Sequence, residues 1–208
     1  MNKILLIPGS FNPITNAHVD MALAAKKAVN ADIVYFIPAH DTYVAKKKTL
    51  IPGYCRVSLI NSMPNCEKDN MWALDIETTS FFPQRTYNTI TQLRDEAEKD
   101  YKFNEYYICL GMDNIKDLPA WYNWKPFVEE YQFVACVREG QKLETALQES
   151  GLMEYKDHFT EIRIPENHTS SSLVRNLCEK GEFDKVKQLV PENVYEYLIR
   201  FYDVMNRI

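Results

Sequence analysis

A run of small and polar residues at positions 9–18, GSFNPITNAH, holds the residues best suited to phosphate chemistry. Gly9 allows a sharp turn and a close approach of the backbone to a ligand. Thr15 and His18 are three residues apart, so on a first helical turn their side chains share a face. Such groups beside helical N–H donors could stabilise charge that builds up on a phosphoryl group. The alternative is an ordinary helix start with Thr15 or Asn16 as N-cap.

A second polar cluster lies far along the chain, at positions 167–175 with the sequence NHTSSSLVR. Its serines predict the N-cap of a helix that leaves hydroxyl and N–H groups for an anion. Arg175 would lie one turn into that helix and could bind the same phosphate with two parallel hydrogen bonds. The alternative is an ordinary capping cluster with Arg175 in solvent.

Lysines 46–48 form the only lysine triplet of a chain whose net charge is −5. A run of lysines is usually a solvated surface patch, but here it could also hold an anion locally. Because the chain as a whole is acidic, we expect no general electrostatic affinity for nucleic acid.

A strand-like run ends at Gly111 and is followed by Asp113. This pattern gives a close backbone approach and a carboxylate that can accept hydrogen bonds from ribose hydroxyls. Trp121 and Trp124 follow, and an indole face suits an electron-poor or cationic group. The alternative is that Asp113 caps a helix and that both tryptophans lie in the core.

Short apolar runs alternate with amphipathic stretches along the chain. This alternation predicts one doubly wound (Rossmann-like) α/β domain over residues 1–208, with a helical portion over about 170–208. Ligands in such folds bind beyond the carboxyl ends of the strands. The predicted strands are 3–8, 33–38, 71–77, 105–110, 131–137 and 161–164, and the predicted helices are 18–29, 54–63, 88–99, 170–180, 183–189 and 192–205. A long polar loop is predicted over 39–53.

Several classes of protein are excluded by residue counts. The six glycines are spaced for neither a dinucleotide fingerprint nor a P-loop. The five cysteines are odd in number and form no C-x-x-C pair, so neither a disulfide framework nor a zinc site is expected. The first apolar run, residues 4–7, is too short for a signal peptide or a membrane span, and we expect a cytoplasmic protein with no membrane partner.

The segment 9–18 resembles the nucleotide-binding loop of the nucleotidylyltransferase superfamily, G-x-F-x-P-x-[HT]-x-x-H. It looks closest to the mononucleotide adenylyltransferases that complete NAD biosynthesis. Positions 167–175 resemble that family's I-S-S-T-x-I-R. The resemblance implies catalytic roles for Thr15, His18 and Arg175. It implies ATP contacts from the remaining matched positions, which are Gly9, Ser10, Phe11, Asn167, Ser171 and Ser172.

Further segments resemble the same family in the same order. Residues 46–57 are similar to the K-K-K-x-L-I-P-x-Y-x-R-V of eukaryotic members, which implies a catalytic phosphate contact from Lys48, with Lys47 beside it. Residues 110–124 are similar to the G-A-D…L-P-x-W-x-x-W of bacterial members, which implies nucleotide binding by Gly111 and Asp113. Residues 83–89 and 137–140 resemble P-S-Y-T-x-D-T and V-x-R-x-G. The implied substrate contacts are Thr86, Trp121, Trp124 and Arg138.

The resemblance implies adenylyl transfer from ATP to nicotinate mononucleotide and/or nicotinamide mononucleotide, with release of pyrophosphate. Because the matches nearest the pyridine ring are the bacterial ones, the nicotinate form is favoured. Mg²⁺ is the implied cofactor, bridging phosphate oxygens rather than sitting in a cage of protein ligands.

The implied partners are these small molecules, and a homo-oligomer is left open. Two alternatives stand beside this function. One is another nucleotidylyltransferase, such as a phosphopantetheine adenylyltransferase or a cytidylyltransferase. The other is a non-catalytic nucleotide-binding module on the same fold.

Overall fold

The structure, a computed structural model, describes residues 1–44, 50–164 and 169–205. Its strands are β1 (Asn2–Gly9), β2 (Ile33–Pro38), β3 (Met71–Ala73), β4 (Asn104–Gly111), β5 (Gln132–Val137) and β6 (Phe159–Arg163). Its helices are α1 (Asn16–Val29), α2 (Asp41–Val44), α3 (Gly53–Asn61), α4 (Thr86–Lys99), α5 (Met112–Asp117), α6 (Trp124–Glu130), α7 (Leu143–Glu149), α8 (Ser171–Glu179), α9 (Phe183–Val186) and α10 (Glu192–Met205). Two 3-10 turns cover Leu118–Ala120 and Met153–His158.

The strands form one sheet with the order β3-β2-β1-β4-β5-β6. The sheet is parallel, and its central register pairs Leu6 with Ile108 and Gly111 with Cys136. Strands and helices alternate along the chain, as parallel strands require a crossover between them. The predicted doubly wound α/β fold is therefore confirmed.

The central strands are buried on both faces, which explains their apolar sequences. In β1 the side chains of residues 4–7 are all buried, and in β5 the same holds for residues 133–137. A strand covered by helices on both sides has no solvent face, so it lacks the alternation of apolar and polar residues.

The chain divides into two compact units, each assembled from separate stretches of sequence. The first unit comprises residues 1–8, 21–35 and 84–166, and the second comprises residues 9–20, 36–83 and 167–208. The expectation of a single domain over residues 1–208 stays a prediction. The predicted helical C-terminal stretch corresponds to α8, α9 and α10.

The predicted strand over residues 71–77 was too long, because only Met71–Ala73 is extended. The Asp75 carbonyl accepts the N–H of Thr79 at 2.9 Å and the hydroxyl groups of Thr78 and Thr79 at 3.0 and 2.9 Å. These local hydrogen bonds compete with a strand ladder and turn the chain.

Short helices were missed by the sequence reasoning at α2, α5, α6 and α7. Each has seven residues or fewer, which is two turns at most, and so gives little periodic signal. Within the described part of the chain, every helix is too short or too polar to span a lipid bilayer.

Candidate functional site

The loop between β1 and α1 has a strained turn that explains its first glycine. Phe11 has a φ of 42°, in the left-handed region that few residues other than glycine adopt. Its ring lies so close to Gly9 that a Cβ on Gly9 would meet Phe11 Cζ at 2.8 Å. The ring also packs edge-on against Phe36 and His18, with centroids 5.3 Å apart in both cases. Gly9 is therefore needed to let this ring fold over the backbone.

Phe11, a predicted ATP contact, is only 3% exposed. Its ring fills the space beneath the loop, so what it offers a ligand is its backbone rather than its side chain. Ser10 precedes Phe11 in the loop, and its carbonyl accepts a hydrogen bond from Arg56 Nη1 at 2.7 Å.

Thr15 and His18, the predicted catalytic pair, contact each other directly. His18 Nδ1 accepts the backbone N–H of Thr15 at 3.1 Å and lies 2.7 Å from Thr15 Oγ1. Because a backbone N–H can only donate, Nδ1 must present its lone pair, and the proton of the neutral imidazole sits on Nε2. Thr15 is fully buried, whereas His18 is half-buried at the start of α1. The imidazole of His18 is therefore held in one orientation, with its N–H at Nε2.

The N-terminus of α8 packs against the same loop. Ser171 Oγ donates to the carbonyl of Pro13 at 2.8 Å. Arg175 Nη1 donates to the carbonyl of Asn12 at 2.6 Å, and its Nη2 donates to Ser172 Oγ at 2.9 Å. The structure thus brings Arg175, Ser171 and Ser172 to the loop that carries Thr15 and His18.

The serine hydroxyls at α8 have internal partners. Ser170 is the N-cap, since its Oγ accepts the N–H of Leu173 at 3.1 Å. Ser171 and Ser172 use their hydroxyl groups on Pro13 and Arg175. An anion at this helix start would therefore be bound by backbone N–H groups of the first turn. Arg175 could contribute as well, because its guanidinium has five N–H donors and the bonds to Asn12 and Ser172 use two of them.

Arg56 is the R of the K-K-K-x-L-I-P-x-Y-x-R-V resemblance, but the sequence analysis gave it no role at the site. Its side chain is fully buried on α3, and its guanidinium donates to three carbonyls and one carboxylate. The partners are Ile51 O (3.0 Å), Ser10 O (2.7 Å), Ala39 O (2.8 Å) and Asp41 Oδ1. A signal was present, because Arg56 stands three and four residues before the buried Leu59 and Ile60, on the apolar face of the helix.

In the other unit, β4 ends at Gly111, one of the predicted nucleotide contacts. A Cβ built on Gly111 would meet no atom within 4 Å among the residues that the structure describes. Packing among the described residues therefore does not require a glycine at this position. Asp113 is exposed in the first turn of α5, where the helix dipole favours its negative charge.

The two predicted substrate-stacking tryptophans have different surroundings. Trp121 stacks on the buried Phe127, with the ring planes 19° apart and the centroids 6.4 Å apart. Trp124 meets Tyr155 edge-on, with centroids 6.3 Å apart. Both are half-buried. Phe127 therefore covers one face of the Trp121 indole.

Thr86 and Arg138 complete the predicted substrate contacts. Thr86 is half-buried at the first position of α4, and Arg138 is exposed directly after β5. Next to Thr86, Tyr87 donates to Glu130 Oε1 at 3.1 Å. Burial of the phenol raises its pKa, and the hydrogen bond to Glu130 raises it further.

Three predicted contacts, Lys47, Lys48 and Asn167, lie outside the described residues. Over residues 1–44, 50–164 and 169–205, no group of three or more His, Cys, Asp or Glu side chains could hold a metal ion. Three polar side chains at the loop, those of Thr15, His18 and Arg175, are donors suited to anions rather than ligands suited to Mg²⁺.

Known proteins similar to this chain were found by sequence and by structure. A family model described as cytidylyltransferase-like matches residues 6–177. A Dehalococcoides mccartyi protein named "Probable nicotinate-nucleotide adenylyltransferase" is 30% identical over 197 residues, which are 94% of each chain. A protein of the same name from Bacillus anthracis is 28% identical over 96% of this chain and 97% of its own. The solved Plasmodium falciparum nicotinic acid mononucleotide adenylyltransferase complexed with NaAD has a TM-score of 0.74 at 21% identity, over 98% of each chain.

Proposed function

Because the chain belongs to the cytidylyltransferase-like family, and within it to the nicotinate-nucleotide adenylyltransferases, we propose that it transfers AMP from ATP to nicotinate mononucleotide and releases pyrophosphate. Family membership makes the chain a nucleotidyltransferase of NAD biosynthesis with an α/β fold. The choice of acceptor, the roles of individual residues and the metal requirement are parts of the proposal.

The observation that carries the proposal is the orientation of His18. The Thr15 N–H on Nδ1 leaves Nε2 as the nitrogen that carries the proton, so the ring acts as a donor towards an anion. Arg175 is held at the same loop through the Asn12 carbonyl. Two donors held at the same loop favour a phosphate-binding site over a simple helix cap.

In the proposed reaction the 5′-phosphate of the mononucleotide attacks the α-phosphorus of ATP in line, and pyrophosphate leaves. The attacking group is the substrate's own phosphate, so no protein nucleophile is needed. The protein contributes positioning and stabilisation of negative charge. His18 and Arg175 would supply donors to the triphosphate, with Lys48 and Lys47 as the further cationic contacts that the family resemblance implies.

The remaining proposed contacts divide between the two substrates. ATP would contact the Gly9–Phe11 backbone, the α8 start at Ser171 and Ser172, and Asn167. Gly111 and Asp113 would contact a nucleotide ribose. The acceptor would contact Thr86, Trp121, Trp124 and Arg138, and its pyridine ring would stack on Trp121 because that indole already lies parallel to Phe127.

Mg²⁺ would enter with the substrate as the ATP complex. The donor set at the loop fits phosphate oxygens and not the cation, so the metal would keep mostly phosphate and water oxygens as its ligands. The proposal also places the protein in the cytoplasm, with the small-molecule substrates as its partners. Self-association stays a prediction that light scattering can test.

The test is product identification with a panel of substrates. Purified protein is incubated with ATP and Mg²⁺ plus nicotinate mononucleotide, nicotinamide mononucleotide or phosphopantetheine, and separately with CTP in place of ATP. Pyrophosphate is measured, and the second product is identified by mass. The proposal predicts a dinucleotide from ATP and a pyridine mononucleotide. Product only with phosphopantetheine or only with CTP, or nucleotide binding without pyrophosphate release, would contradict it.

A further inference from the structure

We infer that Arg56 is a positioning residue for phosphate binding, because its guanidinium holds the Ser10–Phe11 peptide so that the Phe11 N–H can donate to a phosphate oxygen of ATP. This inference rests on the proposed function and extends it to a residue that would not touch substrate. The Arg56 guanidinium is fully buried, and three of its four hydrogen-bond partners are backbone carbonyls.

The contacts of Arg56 join three separate stretches of the chain. Its Nη1 donates to Ser10 in the loop after β1, at 2.7 Å. Its Nη2 donates to Ala39, directly after β2, at 2.8 Å, and its Nε donates to Ile51 at 3.0 Å. Only the planar fork of an arginine presents donors in several directions at once, so a lysine cannot make the same set.

The bond to Ser10 sets the direction of the next N–H. In a trans peptide the C=O and the N–H point to opposite sides, so a Ser10 carbonyl fixed on Arg56 aims the Phe11 N–H away from Arg56. Among the residues that the structure describes, none accepts a hydrogen bond from this N–H. Phe11 is 3% exposed and has a left-handed φ of 42°, so its backbone is held in a conformation in which no described residue accepts this N–H.

Most backbone donors of buried residues have a partner, and one that lacks a partner calls for a reason. A phosphate oxygen is the acceptor that fits here, because two further donors lie at the same loop. They are His18, with its proton on Nε2, and Arg175, which donates to the Asn12 carbonyl. The carboxylate and the three carbonyls around Arg56 compensate its positive charge. We therefore do not expect Arg56 to bind the phosphate directly. Arg56 would act on the phosphate through the peptide.

The same hydrogen bonds fix the chain on either side of the lysine triplet. Asp41 accepts from Arg56 with one oxygen and from the Gly53 N–H with the other, at 3.2 Å. Asn12 Oδ1 accepts the Ile51 N–H at 3.0 Å. These bonds connect residues 41, 51 and 53 to the loop after β1 through Arg56 and Asn12. Because the proposed phosphate contacts lie at this loop, a change at Arg56 should disturb them more than the contacts to the mononucleotide.

The experiment compares Arg56→Lys with wild type for kcat, for the KM of each substrate, and for ATP affinity by calorimetry. We expect kcat to fall roughly 10- to 100-fold, the usual effect of a small misplacement of binding groups. The Kd and KM for ATP should rise about tenfold, whereas the KM for the mononucleotide should change less than twofold. Ile60→Val, on the same helix and fully buried, is the control for lost stability alone and should keep both KM values.

Wild-type values of kcat and ATP affinity in a folded Arg56→Lys protein would overturn the inference, as would equal rises in both KM values. If Arg56→Lys does not fold, Asp41→Asn decides, because the Asp41 side chain is 43% exposed and its substitution should leave the fold intact. It should raise the ATP Kd about threefold, and an unchanged Kd would overturn the inference. A wild-type protein without turnover would contradict the proposed function instead, while calorimetry with ATP would still test Arg56.

Discussion

The backbone N–H of Thr15 donates to Nδ1 of His18 at 3.1 Å, and this bond decides which nitrogen of the imidazole carries a proton. The Thr15 hydroxyl lies 2.7 Å from the same nitrogen. A ring held in this way is a fixed donor at Nε2, which is the chemistry that a phosphate oxygen requires. The first two predictions test this relationship.

Replacing His18 by Ala removes the donor and should lower kcat by roughly 10²–10³, the usual loss for one preorganised hydrogen bond to developing charge. Steady-state pyrophosphate release measures the effect, and circular dichroism checks the fold. His158→Gln is a matched control, since His158 is also half-buried and its Nδ1 lies 3.2 Å from the Tyr131 carbonyl. Near wild-type turnover in the His18 variant would remove His18 from the reaction.

Replacing Thr15 by Val keeps the shape of the side chain but removes the hydroxyl from His18 Nδ1. The N–H of residue 15 still fixes the ring, so we expect a loss in kcat of only about tenfold, by looser orientation of the imidazole. Thr15→Ser keeps the hydroxyl and should stay within about threefold of wild type. If Val and Ser behave alike, the hydroxyl does not support His18.

Replacing Arg175 by Ala should raise the KM for ATP and lower kcat, because a triphosphate contact is made in both the ground and the transition state. It also frees the Asn12 carbonyl that Arg175 now holds at 2.6 Å. Arg175→Lys should rescue only part of the loss, because one ammonium group cannot serve both the loop and a phosphate. Full rescue by Lys would speak against a forked contact. Arg163→Ala, whose side chain is 81% exposed on β6, should match wild type.

Replacing Trp121 by Ala should raise the KM for the pyridine mononucleotide about tenfold and leave the KM for ATP within twofold. The reason is the loss of an indole face from under a cationic ring, an interaction of about 1–2 kcal/mol. Trp72→Phe, at β3, is the control. An unchanged mononucleotide KM would move the stacking role away from Trp121, and Trp124→Ala would then be measured in the same way.

Much of the fold follows from short apolar runs. The strands at 33–38 and 132–137 stand out because burial on both faces gives continuous apolar runs, which in the second strand begin after the exposed Gln132. The helix at 192–205 stands out because its buried side chains recur at every fourth position. The helix at 124–130 does not stand out in the sequence, because its two turns are too short for a repeating pattern of apolar residues. It also begins next to Asn123, which has a left-handed φ of 52°.

The candidate site was partly predictable for the same kind of reason. Thr15 and His18 lie at the start of one helix and Arg175 lies one turn into another, which their sequence contexts predicted. The structure brings all three to the loop after β1. The role of Arg56 depends on distant carbonyls such as that of Ser10, and a charged side chain is expected at the surface unless its partners are known. The burial of Phe11 depends on Phe36, which is 25 positions away in sequence and so outside any local pattern.

The central claim, adenylyl transfer to nicotinate mononucleotide, is tested most directly by kcat/KM for the two pyridine mononucleotides at saturating ATP and Mg²⁺. A site that selects a carboxylate offers donors, such as the Thr86 hydroxyl, while one that accepts a carboxamide also needs an acceptor near the ring. We predict that pyrophosphate is released together with the expected dinucleotide. We also predict a clearly higher kcat/KM for nicotinate mononucleotide than for nicotinamide mononucleotide. A preference for nicotinamide mononucleotide would contradict the acceptor assignment, and the absence of pyrophosphate release with either acceptor would contradict the reaction itself.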